Sequence, residues 1–138
     1  MSLALFLVFA LVAGLMAYVR LEPFDPGRWH VAVASAVPAG TDEIRSGGNW
    51  AGLRLTGDAA LLARIEAVAQ TSPRTRQVAG SLAEGRITWE TRSLLWGFPD
   101  YTTAEVAGGE VVILARSRFG RGDWGVNAAR LADWRARL

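Results

Sequence analysis

The sequence has no cysteine, no lysine and a single histidine, His30. Without cysteine there can be no disulfide, no thiolate metal site, no cysteine nucleophile and no acylated lipoprotein N-terminus. With one histidine, a multi-histidine metal cluster is excluded, and a Ser-His-Asp relay would have to run through that one ring. Neither a metal nor a cofactor is expected. All 15 basic residues are arginine and stand against 13 acids, for a formal net charge of +2. Acids and arginines are interleaved, which argues against a nucleic-acid partner.

Charge is also missing from one long run. The 17 residues from Leu3 to Val19 carry no charged side chain. As a helix rising about 1.5 Å per residue they reach roughly 26 Å, close to the hydrocarbon thickness of a bilayer. Tyr18 falls where an interfacial aromatic belongs, and Arg20 can snorkel to the head groups. A cleavable signal peptide needs a basic leading region and a small-x-small site directly after the apolar stretch. The leader has no basic region, and Ala34-Ser35-Ala36 lies too far along the chain. Residues 1–20 therefore read as an uncleaved, single-pass anchor with membrane lipid as its partner. Arg20 and Arg28 after the span favour a cytoplasmic domain by positive-inside counting, although a two-residue tail gives that rule little to act on.

Beyond the span, residues 21–48 read as a connector and an irregular lead-in. Glu22-Pro23-Phe24-Asp25-Pro26-Gly27 is stiff, and the stretch after it is rich in Ala, Ser, Pro and Gly. Residues 49–138 read as one α+β domain. Trp50 to Thr56 alternates weakly, as a strand would. Thr56 or Asp58 can cap a helix through Ala69, with Leu61, Leu62, Ile65, Val68 and Ala69 on one face. Arg86 to Arg92 alternates strictly, Ile87, Trp89 and Thr91 against Thr88, Glu90 and Arg92, which predicts a half-buried strand. Ala107-Gly108-Gly109-Glu110 supplies a turn between Tyr101–Val106 and Val111–Arg118, predicting an antiparallel hairpin. Asn127 suits the N-cap of a last helix carrying Leu131, Trp134 and Leu138. The predicted order is β-α-β-β-β-α: a small antiparallel sheet with two helices behind one transmembrane helix.

Three groups of residues are candidates for chemistry. Arg116, Arg118 and Arg121 stand beside Gly120, Gly122 and Gly125, just before a helix start, where exposed backbone N–H groups and positive charge suit an anion. The glycine spacing fits no phosphate-loop or dinucleotide fingerprint. The structural alternative is a tight turn in which Asp123 pairs with a nearby arginine. Asp100 and Arg92 are expected either as an ion pair across adjacent strands or as part of a ligand site. Of six tryptophans, Trp96 and Trp124 fall in predicted loops and are candidates to face membrane or a partner. No nucleophile-base pair and no pair of carboxylates stands out, so a non-catalytic protein is expected.

The stretch from Arg74 to Thr103 includes Glu84-Gly85-Arg86-Ile87 and Trp96-Gly97-Phe98-Pro99-Asp100-Tyr101-Thr102-Thr103. Together with the block from Arg116 to Arg130, it resembles the domain-of-unknown-function 1499 family. The resemblance covers most of Asp58 to Leu138. Gly120, Asp123, Gly125, Asn127 and Arg130 match the family's pattern in the second block. Gly122 stands where serine is usual, and Trp124 where an aliphatic residue or phenylalanine is usual. The resemblance implies no activity, substrate or catalytic residue. Lipoproteins among the bacterial relatives imply export, hence a periplasm-facing domain, with a helix here in place of a lipid. The expected function is that of a non-catalytic accessory or assembly subunit of an inner-membrane complex that binds a protein partner. The alternative is a small-anion or lipid head-group binder using residues 116–127.

Overall fold

The computed structural model describes residues 2–40 and 42–138. The apolar run forms α1, Leu3–Leu21, opened by Ser2, whose hydroxyl accepts the Leu5 N–H at 3.3 Å. Nearly all of its large side chains are exposed; it is long and apolar enough to cross a membrane. One short turn of helix, α2 (Pro26–Trp29), follows. The domain then runs β1 (Arg45–Gly47), β2 (Trp50–Thr56), α3 (Ala59–Gln70), β3 (Thr75–Ser81), β4 (Arg86–Arg92), β5 (Pro99–Ala107), β6 (Glu110–Ser117) and α4 (Val126–Ala136).

All strand pairings are antiparallel, in one sheet of order β1-β2-β6-β5-β4-β3. The α+β class expected from the sequence is what the chain adopts, with two more strands, β1 and β3. Local signals behave as expected where they are strong. Asp58 caps α3, accepting the Ala60 N–H at 2.9 Å. Gly108 and Gly109, at φ 60° and 81°, form a two-residue turn closing the β5–β6 hairpin, a conformation that glycine adopts without a Cβ penalty.

The period of two along each strand separates two unlike faces. On one, Ala51, Leu53, Ile87, Trp89, Ala104, Ile113 and Ala115 meet Leu62 and Ile65 of α3 and Leu131 and Trp134 of α4, with Trp89 and Trp134 edge to face at 5.6 Å. The other face was expected to be open, yet β4 is buried on both sides. Residues 22–38 run across it as a strap. Val33 and Val37 pack on Val112 and Leu114. One Glu105 oxygen accepts the Val33 and Ala34 N–H groups at 2.8 and 2.6 Å, and the other accepts Arg86 Nε at 2.9 Å. Arg54 donates to the Val37 and Pro38 carbonyls while pairing with Glu110 at 2.8 Å. The segment that reads as a stiff spacer is thus part of the domain.

The strap also brings the end of α1 into the fold. Val19 is 2% exposed. Glu22 pairs with Arg118, which also donates to the Pro23 carbonyl at 3.1 Å. Arg20 donates to the Leu95 carbonyl at 3.3 Å, and Tyr18 meets Phe119 edge-on at 6.3 Å.

Candidate functional site

Arg116 is on β6 and Arg118 directly follows its last residue; both reach the strap face, Arg116 to the Trp29 carbonyl and Arg118 to the Pro23 carbonyl, whereas Arg121 lies further on and is exposed. The three arginines do not converge on one point. Arg118 is deeply packed; it donates to the Tyr101 hydroxyl at 3.1 Å and pairs with Glu22. Burial works against its charge, but the bonds and attraction from Tyr101 and Glu22 outweigh that and hold the guanidinium above its ordinary pKa. Burial pushes the Tyr101 phenol up, Arg118 opposing and the Glu90 charge adding to the rise.

Arg116 is placed differently. Its Nη2 donates to the Trp29 carbonyl at 2.7 Å and to Thr103 Oγ1 at 3.1 Å, both neutral acceptors, and its Nε is buried without a partner. Burial lowers its pKa. Among the described residues, nine arginines pair with carboxylates. Of the other six, Arg20, Arg28, Arg64, Arg74 and Arg121 are exposed and only Arg116 is not. Arg116 lines a cleft of about 500 Å³ with Arg28, Trp29 and Trp50. Both Arg28 and Arg116 lie against the Trp29 ring, 4.9 and 5.3 Å from its centroid.

The glycine-rich loop has a structural role. The Asp123 carboxylate pairs with no arginine; it accepts the N–H groups of Gly125 and Asn127 at 2.9 and 3.2 Å and so caps α4. Asn127, expected as the cap, is instead buried inside the first turn. It donates to Ser117 Oγ at 3.0 Å and accepts from Arg130 at 2.6 Å. Arg130 in turn reaches Asp100 at 2.9 Å. The pairing expected between Asp100 and Arg92 does not form. Thr91 lies opposite Asp100, which puts Arg92 on the other face, where it binds Glu90 at 2.8 Å. Asn127, Arg130 and Asp100 therefore latch α4 to β5 and β6, while Asp123 closes the turn that starts the helix.

Trp96 and Trp124 are exposed, Trp124 completely. Leu94, Leu95 and Trp96 form an exposed apolar shelf beside the end of α1, where Arg20 reaches the Leu95 carbonyl, and Phe98, Phe119, Trp124 and Val126 line a hollow of about 380 Å³. Sequence reasoning missed Arg28, Trp29, Glu90 and Glu105. The only advance signal was the strict alternation of β4, which placed Glu90 on a definite face.

Among the described residues, no group of three His, Asp or Glu side chains is placed to hold a metal ion. The geometry defines a class: a small α+β domain built onto an apolar helix, with an arginine-lined cleft and an apolar shelf. Within it, the chain belongs to the family described as "Protein of unknown function (DUF1499)", whose model matches residues 32–138. No curated protein and no solved structure matches the chain. Arg28 and Trp29 precede the matched segment.

Proposed function

We propose that the chain is a membrane-tethered, non-catalytic accessory module, held in an inner membrane by α1, with a periplasmic domain that engages a protein of a membrane complex. The union of α1 with the domain carries this reading. Cutting the chain after α1 would remove Val19 from the interior and leave Arg118 facing only the single acid Glu22 at a new, mobile terminus. A signal peptide is discarded before the mature core forms and is not expected to supply part of it. The periplasmic side is part of the proposal and rests on the export that the family resemblance implies.

The shelf supports the partner. Arg20 reaches the Leu95 carbonyl, so Leu94, Leu95 and Trp96 sit at the level where a snorkelling arginine meets head groups. A second membrane protein beside α1 would meet these residues first. The test is to purify a C-terminally tagged full chain from membranes in a mild non-ionic detergent and measure its intact mass and its companions. We expect α1 to be retained and a membrane protein to co-purify in fixed stoichiometry. Leu95→Asp combined with Trp124→Ala should weaken that association at least about tenfold, with the unfolding midpoint moved by no more than about 2 °C. A chain that runs alone, or one that has lost α1, rejects the reading.

A further inference from the structure

We propose that the cleft between the strap and β6 binds a phosphate monoester, either free or as a lipid head group, through Arg116 and Arg28. This goes beyond the tether reading and does not depend on it. The cleft is distinguished by a missing counter-ion. A guanidinium withdrawn from water without a carboxylate costs stability, so burial without one needs a reason. Every other arginine among the described residues is either paired with an acid or exposed. Arg116 alone is neither, and the bonds from its Nη2 to the Trp29 carbonyl and Thr103 fix its orientation. Among the described residues its Nη1 has no hydrogen-bond acceptor, its Nε is buried without one, and the residue lines the cleft.

Charge and shape narrow the ligand. Arg118 also lines the cleft but is matched by Glu22. Arg28 and Arg116 are left with two positive charges that no acid neutralises. A phosphate monoester carries about −1.5 to −2 at neutral pH and meets that demand, whereas a single carboxylate leaves half of it unmet. The cleft, at about 500 Å³, also has room for more than a bare phosphate. Trp29, Trp50 and Leu114 give the remaining wall an apolar and aromatic character, suited to the organic part of an ester.

The experiment uses the full chain in nanodiscs of phosphatidylcholine and follows tryptophan fluorescence, since Trp29 and Trp50 border the cleft. Phenyl phosphate and inorganic phosphate are titrated at constant ionic strength, and a parallel preparation contains phosphatidic acid in the disc. Saturable changes with phenyl phosphate, at lower concentration than with inorganic phosphate, identify a free monoester. A change confined to the phosphatidic acid discs identifies the lipid head group. In either case Arg116→Gln should raise the apparent Kd at least about tenfold, as loss of a charge-assisted hydrogen bond does. Arg28→Ala, at the exposed rim, should raise it severalfold and decides the matter if Arg116→Gln does not fold. The proposal is overturned if no probe gives a saturable change in the wild type, or if both variants respond as the wild type does.

Discussion

The two faces of the sheet are covered by the same chain but held by different physics, and β6 shows the contrast within one strand. Val111, Ile113 and Ala115 face α3 and α4 in a contiguous apolar cluster that includes Trp89 and Trp134. Val112, Leu114 and Arg116 face the strap, among buried Thr88, Glu90, Thr103 and Glu105. The helix face is stabilised by area removed from water, which is non-directional and tolerates conservative repacking. The strap face depends on matching: Thr88 to Thr103 at 2.8 Å, Glu90 to Arg76 at 3.1 Å and to Arg92 at 2.8 Å, Glu105 to the strap's own N–H groups. An apolar face accepts any apolar cover. A face of buried carboxylates accepts only a segment that brings donors to the right places, and that requirement selects residues 22–38.

The largest predicted effect lies on the helix face. Trp89→Ala should cost about 3–5 kcal/mol in urea unfolding, because it empties the space against Trp134, whereas Trp89→Phe should cost clearly less, since the indole N–H it removes is buried without a partner. A cost for Trp89→Ala close to that of a surface change would erase the distinction between the faces. On the strap face, Glu105→Gln keeps an acceptor but removes the charge opposite Arg86, and a loss of about 1–3 kcal/mol is expected. Its distinctive sign is faster hydrogen exchange at Val33 and Ala34 with the α3 and α4 amides unchanged. Uniform acceleration in both regions would mean that the strap is not separately held. The smallest effect concerns pH. The Tyr101 phenol is raised above 10.0 by burial, so the folded state keeps its proton where the unfolded chain loses it. That contribution is complete below the ordinary tyrosine range and is lost as pH rises through the folded value. The unfolding midpoint should therefore fall between about pH 9 and 11, near the reference tyrosine pKa, and fall less steeply in Tyr101→Phe.

Legibility from the sequence followed the same division. α1, α3, the β5–β6 hairpin and α4 carry their own periodicity and punctuation, and each lies within a few residues of where the pattern puts it. β3, Thr75–Ser81, is a half-exposed edge strand whose bulge breaks alternation between Gln77 and Ala79; its geometry comes from β4, not from its own residues. Gly80, at φ 82°, has the Arg86 carbonyl where a Cβ would stand, a constraint invisible without the partner strand. Half of the candidate site was legible. The end of the predicted hairpin placed Arg116 and Arg118 in one group, but the strap that brings Arg28 and Trp29 to them is distant in sequence and has no repeating pattern. Asn127 and Asp123 exchanged roles because both residue types suit a cap, and only the burial of Asn127 against Ser117 decides between them.

The last turn of α1 is continuous with the interior through Val19, Arg20 and Glu22. Pulling the helix away from the domain would therefore wet the Val19 side chain and part Glu22 from Arg118, so whatever load the helix carries falls first on that one apolar contact and one ion pair.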